Sequence, residues 1–201
     1  EEPLRIADSL PLSAVASAPD GTVYLGFASG ALVSVTLPDA NRPPGVIRRA
    51  AAGPVLGIAA DRDTWIALLP DAVITGAEGR PDFRRLDGID PEISGPLRLA
   101  AGSLSAIPDQ QDTVLVGLPR VRSVRRLSGL LVDSIVLDNG SLGVIRRSRD
   151  GVHVLDVVDS QARRTFRFRL PGRALSMESS GTQILLGYSN GAVQTLRWEN
   201  R

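Results

Sequence analysis

Between Leu12 and Leu37 the apolar positions fall into three short runs split by two turn signals. Ser13 to Ser17 is a short run with small residues, and Thr22 to Phe27 is rich in β-branched and aromatic residues, as strands are. From Ala31 to Leu37 the chain alternates Leu32, Ser34 and Thr36 against Val33, Val35 and Leu37, a period of two. Pro19-Asp20-Gly21 and Ser29-Gly30 separate the runs. The first is a turn because Pro presets φ and Gly supplies φ > 0; the second suits a two-residue hairpin. The pattern predicts a three-stranded antiparallel meander.

Variants of this unit recur. An Arg-bearing apolar strand followed by a Gly or Pro turn stands at Leu4–Ala7, Val46–Ala50, Phe83–Leu86, Val124–Leu127 and Phe166–Leu170. The copies lie roughly 40 residues apart, the period of one four-stranded propeller blade. Three strands fit into each interval. The second holds Pro54–Ala60, Thr64–Leu69 and Ala72–Gly76; the third Pro96–Ala101, Ser103–Ile107 and Thr113–Leu118. The fourth holds Leu130–Leu137, Ser141–Arg147 and Val152–Val158; the fifth Arg173–Met177, Thr182–Gly187 and Ala192–Trp198. The third interval aligns least well. No window of about a dozen residues shows a helical i, i+3, i+4, i+7 face.

The fold class expected is therefore all-β, a single five-bladed β-propeller over residues 1–201 with four-stranded antiparallel blades. The blade units are approximately 12–50, 54–87, 96–127, 130–170 and 173–198 plus 4–7. Pairing Leu4–Ala7 with Ala192–Trp198 would close the ring and remove two exposed edges. The alternative is an open arc of a larger propeller.

Composition narrows the function more than the fold. With 43% hydrophobic and 22% charged residues the chain is of globular type, and 20 Gly and 14 Pro supply many turns. A formal net charge of +1 makes no global case for nucleic acid or a membrane surface. All 23 basic residues are Arg, which reads as genome composition before it reads as selection for bidentate contacts. The absence of Cys excludes disulfides and thiolate metal sites. No apolar run is long enough to span a membrane. The chain begins Glu1-Glu2-Pro3 without Met, compatible with removal of a leader or an upstream domain.

Two segments resemble the third strand of a WD-repeat blade: Arg149-Asp150-Gly151-Val152-His153-Val154-Leu155-Asp156-Val157-Val158-Asp159, and Gly191-Ala192-Val193-Gln194-Thr195-Leu196-Arg197-Trp198-Glu199, with Trp198-Glu199 in the place of Trp-Asp. Asp20-Gly21 and the run Leu185–Val193 match the strand-turn-strand core of such blades. The Gly-His and Trp-Asp dipeptides of the family are missing. With His153 the only His, the family's blade-stabilising His–Asp network cannot be built. The chain thus resembles a divergent WD-like β-propeller. The resemblance implies a rigid platform for protein or peptide partners.

Candidate chemistry is sparse. His153 reads as structural, since no second His or Cys is available for a metal. Asp61 with Asp63, and Asp109 with Asp112, lack the spacing of a calcium loop and read as solvated turns. No nucleophile elbow, zinc motif, P-loop or dinucleotide fingerprint is present. The expectation is no enzyme, no cofactor and no metal. Arg5, Arg48, Arg49, Arg84, Arg85, Arg125, Arg126, Arg167 and Arg169 would form a basic rim, whose bland reading is protection of edge strands. Trp65, Trp198, Tyr24, Tyr188 and Phe27 read mainly as packing between blades.

One face would carry the loops that enter each innermost strand and those between second and third strands. It would present Asp90, Glu92, Asp109, Gln110, Arg149, Asp150, Tyr188 and Asn190, the residues expected to meet a partner. The function expected is non-catalytic protein or peptide recognition, or sensing, in the cytoplasm, with the terminal domain of a larger bacterial signalling or defence protein as one setting. The alternative is a lectin-like carbohydrate or small-molecule propeller, with a glycoside hydrolase behind it because aromatics are only 4%. No nucleic-acid partner and no membrane insertion are expected.

Overall fold

A computed structural model describes residues 11–36, 45–61, 64–77, 83–91, 93, 97–100, 102–118, 120–181 and 183–197. Within them lie eighteen β-strands in five antiparallel sheets, each built from consecutive strands. The first sheet is β1 (Leu12–Ser17), β2 (Thr22–Phe27), β3 (Ala31–Thr36) and β4 (Gly45–Ala50). The second is β5 (Gly57–Asp61), β6 (Thr64–Leu68), β7 (Val73–Ala77) and β8 (Phe83–Arg85). The third has β9 (Leu104–Asp109), β10 (Asp112–Gly117) and β11 (Arg122–Ser128). The fourth has β12 (Leu130–Val136), β13 (Leu142–Arg147), β14 (His153–Val158) and β15 (Arg164–Arg169). The fifth has β16 (Ala174–Ser180), β17 (Gln183–Tyr188) and β18 (Val193–Arg197).

The sheets stack face to face in chain order, with an apolar core at each junction. Tyr24 and Leu32 of the first sheet meet Val55, Ile58, Trp65 and Ala67. Ile66, Leu68 and Val73 of the second meet Leu99, Ala106 and Leu115, and the same core continues to Leu131 and Val144 of the fourth. Ile145, Leu155 and Val157 meet Met177, Ile184 and Leu186 of the fifth. Each such side chain, fully buried, contributes roughly 1.5–3 kcal/mol relative to exposure. The approach is close enough that side chains are excluded at some positions. A Cβ on Gly26 would overlap Val55 of the next unit, and within the second sheet one on Gly76 would overlap the ring of its cross-strand partner Trp65.

The turns follow from local chemistry. Asp20 Oδ1 accepts from Thr22 N at 3.0 Å, Asn139 Oδ1 from Ser141 N at 3.0 Å and Asn190 Oδ1 from Ala192 N at 3.0 Å, and in each case the next Gly has positive φ. Only Gly holds that conformation without cost, while the short Asx side chain satisfies the amide two residues on.

Two expectations need correction or restriction. Residues 97–100, read as part of a strand Pro96–Ala101, are not a strand. The segment still occupies the place of an innermost strand: Leu97 N donates to Leu56 O at 2.8 Å beside β5, and Ala100 N donates to Ser134 Oγ at 3.1 Å on β12. Its side chain Arg98 completes the attachment. Arg98 Nε and Nη2 donate to Asp133 Oδ1 and Oδ2 at 2.9 and 2.6 Å, and the guanidinium also reaches Glu178 and the carbonyl of Met177 on β16. Asp133 further accepts from Met177 N at 2.7 Å. A side-chain clamp thus holds the segment in place of the expected strand ladder. The closing strand Leu4–Ala7 lies outside the described residues, as do Asp63 and Trp198. Among the described residues no strand pairs with the outer edge of β18.

Candidate functional site

The hairpin turns between second and third strands, and the connections from one sheet to the next, emerge at one end of the stack. Main-chain bonds tie them together: Ala51 N donates to Gly30 O at 2.7 Å, Gly129 N to Gln111 O at 3.2 Å and Ser189 N to Arg173 O at 2.9 Å. Each turn is thereby fixed against the neighbouring connection.

Its most elaborated point is the β13–β14 turn. Ser148 N donates to Val152 O at 2.8 Å and Gly151 N to Ser148 O at 2.9 Å. Asp150 Oδ1 accepts from Val152 N at 3.3 Å and from the Ser148 hydroxyl. The hydroxyl, followed by that amide, holds the Asp150 carboxyl below the usual range, so it is charged at neutral pH.

The antiparallel ladder decides which arginines reach this turn. In β13 the pleat sends Arg146 inward, where it is 3% exposed, and Arg147 outward. Arg146 Nε donates to buried Asp156 at 2.8 Å, and Arg167 Nε donates to the other Asp156 oxygen at 2.9 Å, so that charge is matched. Arg147 lies opposite His153, and Arg169, the last residue of β15, lies opposite Val154. Arg173 directly precedes β16.

Two clefts flank the turn and share Gly151. One, of about 440 Å³, is lined among others by His153, Arg169 and Arg173. The other, of about 340 Å³, is lined by Gln111, Arg147, Arg149 and their neighbours. His153 is 6% exposed, and its Nδ1 has no hydrogen-bond partner. Burial first, then the charges of Arg147 and Arg173, hold the imidazole below its usual value, against a hydrogen bond with the backbone of Ala174.

The residues expected from the sequence fall into three groups on this face. Asp90, Asp109 and Gln110 come together: Asp90 N donates to Asp109 Oδ1 at 2.9 Å and Gln110 N to Asp90 O at 3.1 Å. Asp109, expected in a solvated turn and on the partner face, is instead buried and paired with Arg126 at 2.5 Å, so it holds the loop in place. Arg149 and Asp150 form the β13–β14 turn. Asn190 caps the β17–β18 turn, while Tyr188 is buried, its hydroxyl 2.5 Å from Gln194 Oε1 and its pKa raised by burial. Glu92 lies outside the described residues. Arg147 and Arg173 were missed, because nothing in a single strand residue or a loop residue announces a common destination. His153 was noted only as a lone imidazole, and Arg169 only as part of a rim.

Five consecutive antiparallel sheets stacked through apolar junctions, with turns gathered at one end, are a β-propeller-like arrangement. The crystal structure of BamB from Moraxella catarrhalis, also a β-propeller, is similar to this chain, with a TM-score of 0.60 and 14% identity over 90% of the chain. The chain spans 55% of the BamB chain. No protein-family model and no curated protein sequence matches it.

Proposed function

We propose that the chain is a non-catalytic recognition module that binds a protein or peptide partner through the loop face. The observation that carries this reading is the pair of clefts meeting at Gly151 on a surface cross-tied by main-chain bonds. A rigid scaffold presenting open loops suits recognition. The propeller likeness supports a platform role and does not by itself assign it. The WD-like relationship, the single ring over 1–201 and a bacterial cytoplasmic setting belong to the same proposal.

Protein recognition is favoured over carbohydrate binding by the aromatic rings. Tyr24, Trp65 and Tyr188 are buried in the junctions, whereas sugar recognition would call for stacking faces in the clefts. The test is co-purification from native lysate with the wild-type chain and with the combined Asp90→Ala, Glu92→Ala, Arg149→Ala variant. A protein retained by the first and lost from the second is the expected result. Equal retention by both would remove the loop face from the reading. If neither retains any protein, the recognition reading falls.

A further inference from the structure

Seven of the arginines whose side chains are described are answered by an acid, Arg85 and Arg164 at the longest distances. Arg98 meets Asp133, Arg126 meets Asp109, Arg146 and Arg167 meet Asp156, and Arg163 meets Asp159. Around the β13–β14 turn four of the others gather. Arg147, Arg149, Arg169 and Arg173 are all exposed, and among the described residues none of them is in an ion pair. The one carboxylate in the turn, Asp150, is already engaged by the Ser148 hydroxyl and the Val152 amide. Other exposed arginines also lack an ion pair, among them Arg84, Arg122 and Arg197, but these four gather around one turn and line its two clefts. His153, buried at the first of the two clefts, registers them: burial lowers its pKa most, and the charges of Arg147 and Arg173 press its proton off further.

We propose that this turn binds an acidic peptide segment, whose carboxylates are taken up by Arg169 and Arg173 on one side of Gly151 and by Arg147 and Arg149 on the other. The proposal rests on the recognition reading above and adds the chemistry of the ligand. Guanidinium forks match carboxylates in bidentate geometry, and such charge-assisted bonds are among the strongest polar contacts a surface offers. The arrangement favours a peptide over a nucleic acid for two reasons. Its cations surround one turn and do not run in a stripe along which a phosphate backbone could track. Asp150 also sits in their midst, where it would repel a continuous phosphodiester but can be bypassed by side chains spaced along a peptide.

The single His makes the test direct, because one imidazole resonance reports the site. The full 201-residue chain is titrated with a decapeptide of alternating Asp, Glu and Gly, beside its Asn/Gln counterpart, single-stranded DNA of equal charge, and inorganic phosphate. The acidic peptide is expected to bind with salt-sensitive affinity and to move the His153 titration upward, since bound carboxylates cancel the arginine field. The combined R147Q, R149Q, R169Q, R173Q variant changes only exposed side chains. It is expected to keep its circular dichroism spectrum and to bind about a hundredfold more weakly.

The proposal is overturned if the neutral peptide binds as well, if the variant binds within about twofold of wild type, or if no peptide binds even at low salt. It is equally overturned if DNA binds more tightly, or if phosphate at the same concentration reproduces the histidine shift, because the turn would then be reading bare charge. A lysate partner retained equally by wild type and the quadruple variant would sink the acidic ligand and leave recognition by the module standing.

Discussion

The second and fifth sheets are built alike and buried differently. β6 is buried at every residue: Trp65 and Ala67 face the first sheet, while Ile66 and Leu68 belong to the core shared with the third. In β17 only Ile184, Leu186 and Tyr188 are buried, and Gln183 and Leu185 are exposed. A sheet held between two neighbours loses the alternation of wet and dry faces; a sheet covered on one side keeps it. Leu175, Leu185 and Val193 are all exposed in the fifth sheet, Val193 at 71%. The comparison teaches that burial along a strand records its place in the stack, and that the far side of the fifth sheet is the place where ring closure is decided.

The largest effect should come from the doubly covered sheet. Ile66→Ala should cost about 4 kcal/mol in urea unfolding, through lost transfer energy and the cavity left in a junction packed from both sides. Asp133→Ala should follow at about 3 kcal/mol, since it removes the bidentate partner of Arg98 and leaves Met177 N without its acceptor. Its loss should also be local, with amide exchange in β16–β18 quickening more than in β5–β7. Uniform quickening would refute the clamp as a tie to the fifth sheet.

A smaller effect should appear with acid. The folded imidazole of His153 is held below the usual value, so below about pH 6.5 the unfolded chain binds more protons than the folded one. The stability tied to this group is complete above that window and declines as pH falls through it. His153→Gln should flatten that part of the stability profile, and an unchanged profile would count against the cause given. The smallest effect is the most informative about closure. Leu185→Ser should change stability by no more than about 0.5 kcal/mol if the flank is open. A cost of several times that would show the flank covered in solution.

Much of the fold was legible. The Thr22–Phe27 strand and the Asp-Gly and Asn-Gly turns carry their own local chemistry, and the recurring Arg-bearing strand marked β8, β11 and β15 as the outer members of their sheets. What escaped was whatever depends on partners distant in the chain. Arg98 holds its segment through Asp133 and Glu178, 35 and 80 residues away, so no local pattern could reveal it. The candidate site divides likewise. Arg149 and Asp150 were readable because they form a turn, whereas Arg147, Arg169 and Arg173 become neighbours only through the registers of β13–β15 and the start of β16.

Arg146 and Arg147 are adjacent in β13, yet one is locked against Asp156 inside the wall and the other stands open on a cleft. That division of labour is set by the pleat alone, and it governs how such a surface can evolve. The exposed guanidiniums hang from a main-chain framework that none of them helps to hold, so a point substitution can retune what the turn attracts while the scaffold persists. A one-residue insertion in β13 is another matter. It would carry Arg146 to the surface and turn its neighbour inward in the wrong place for Asp156. Descendants of this chain are therefore free to vary in the identity of these residues and constrained in their number.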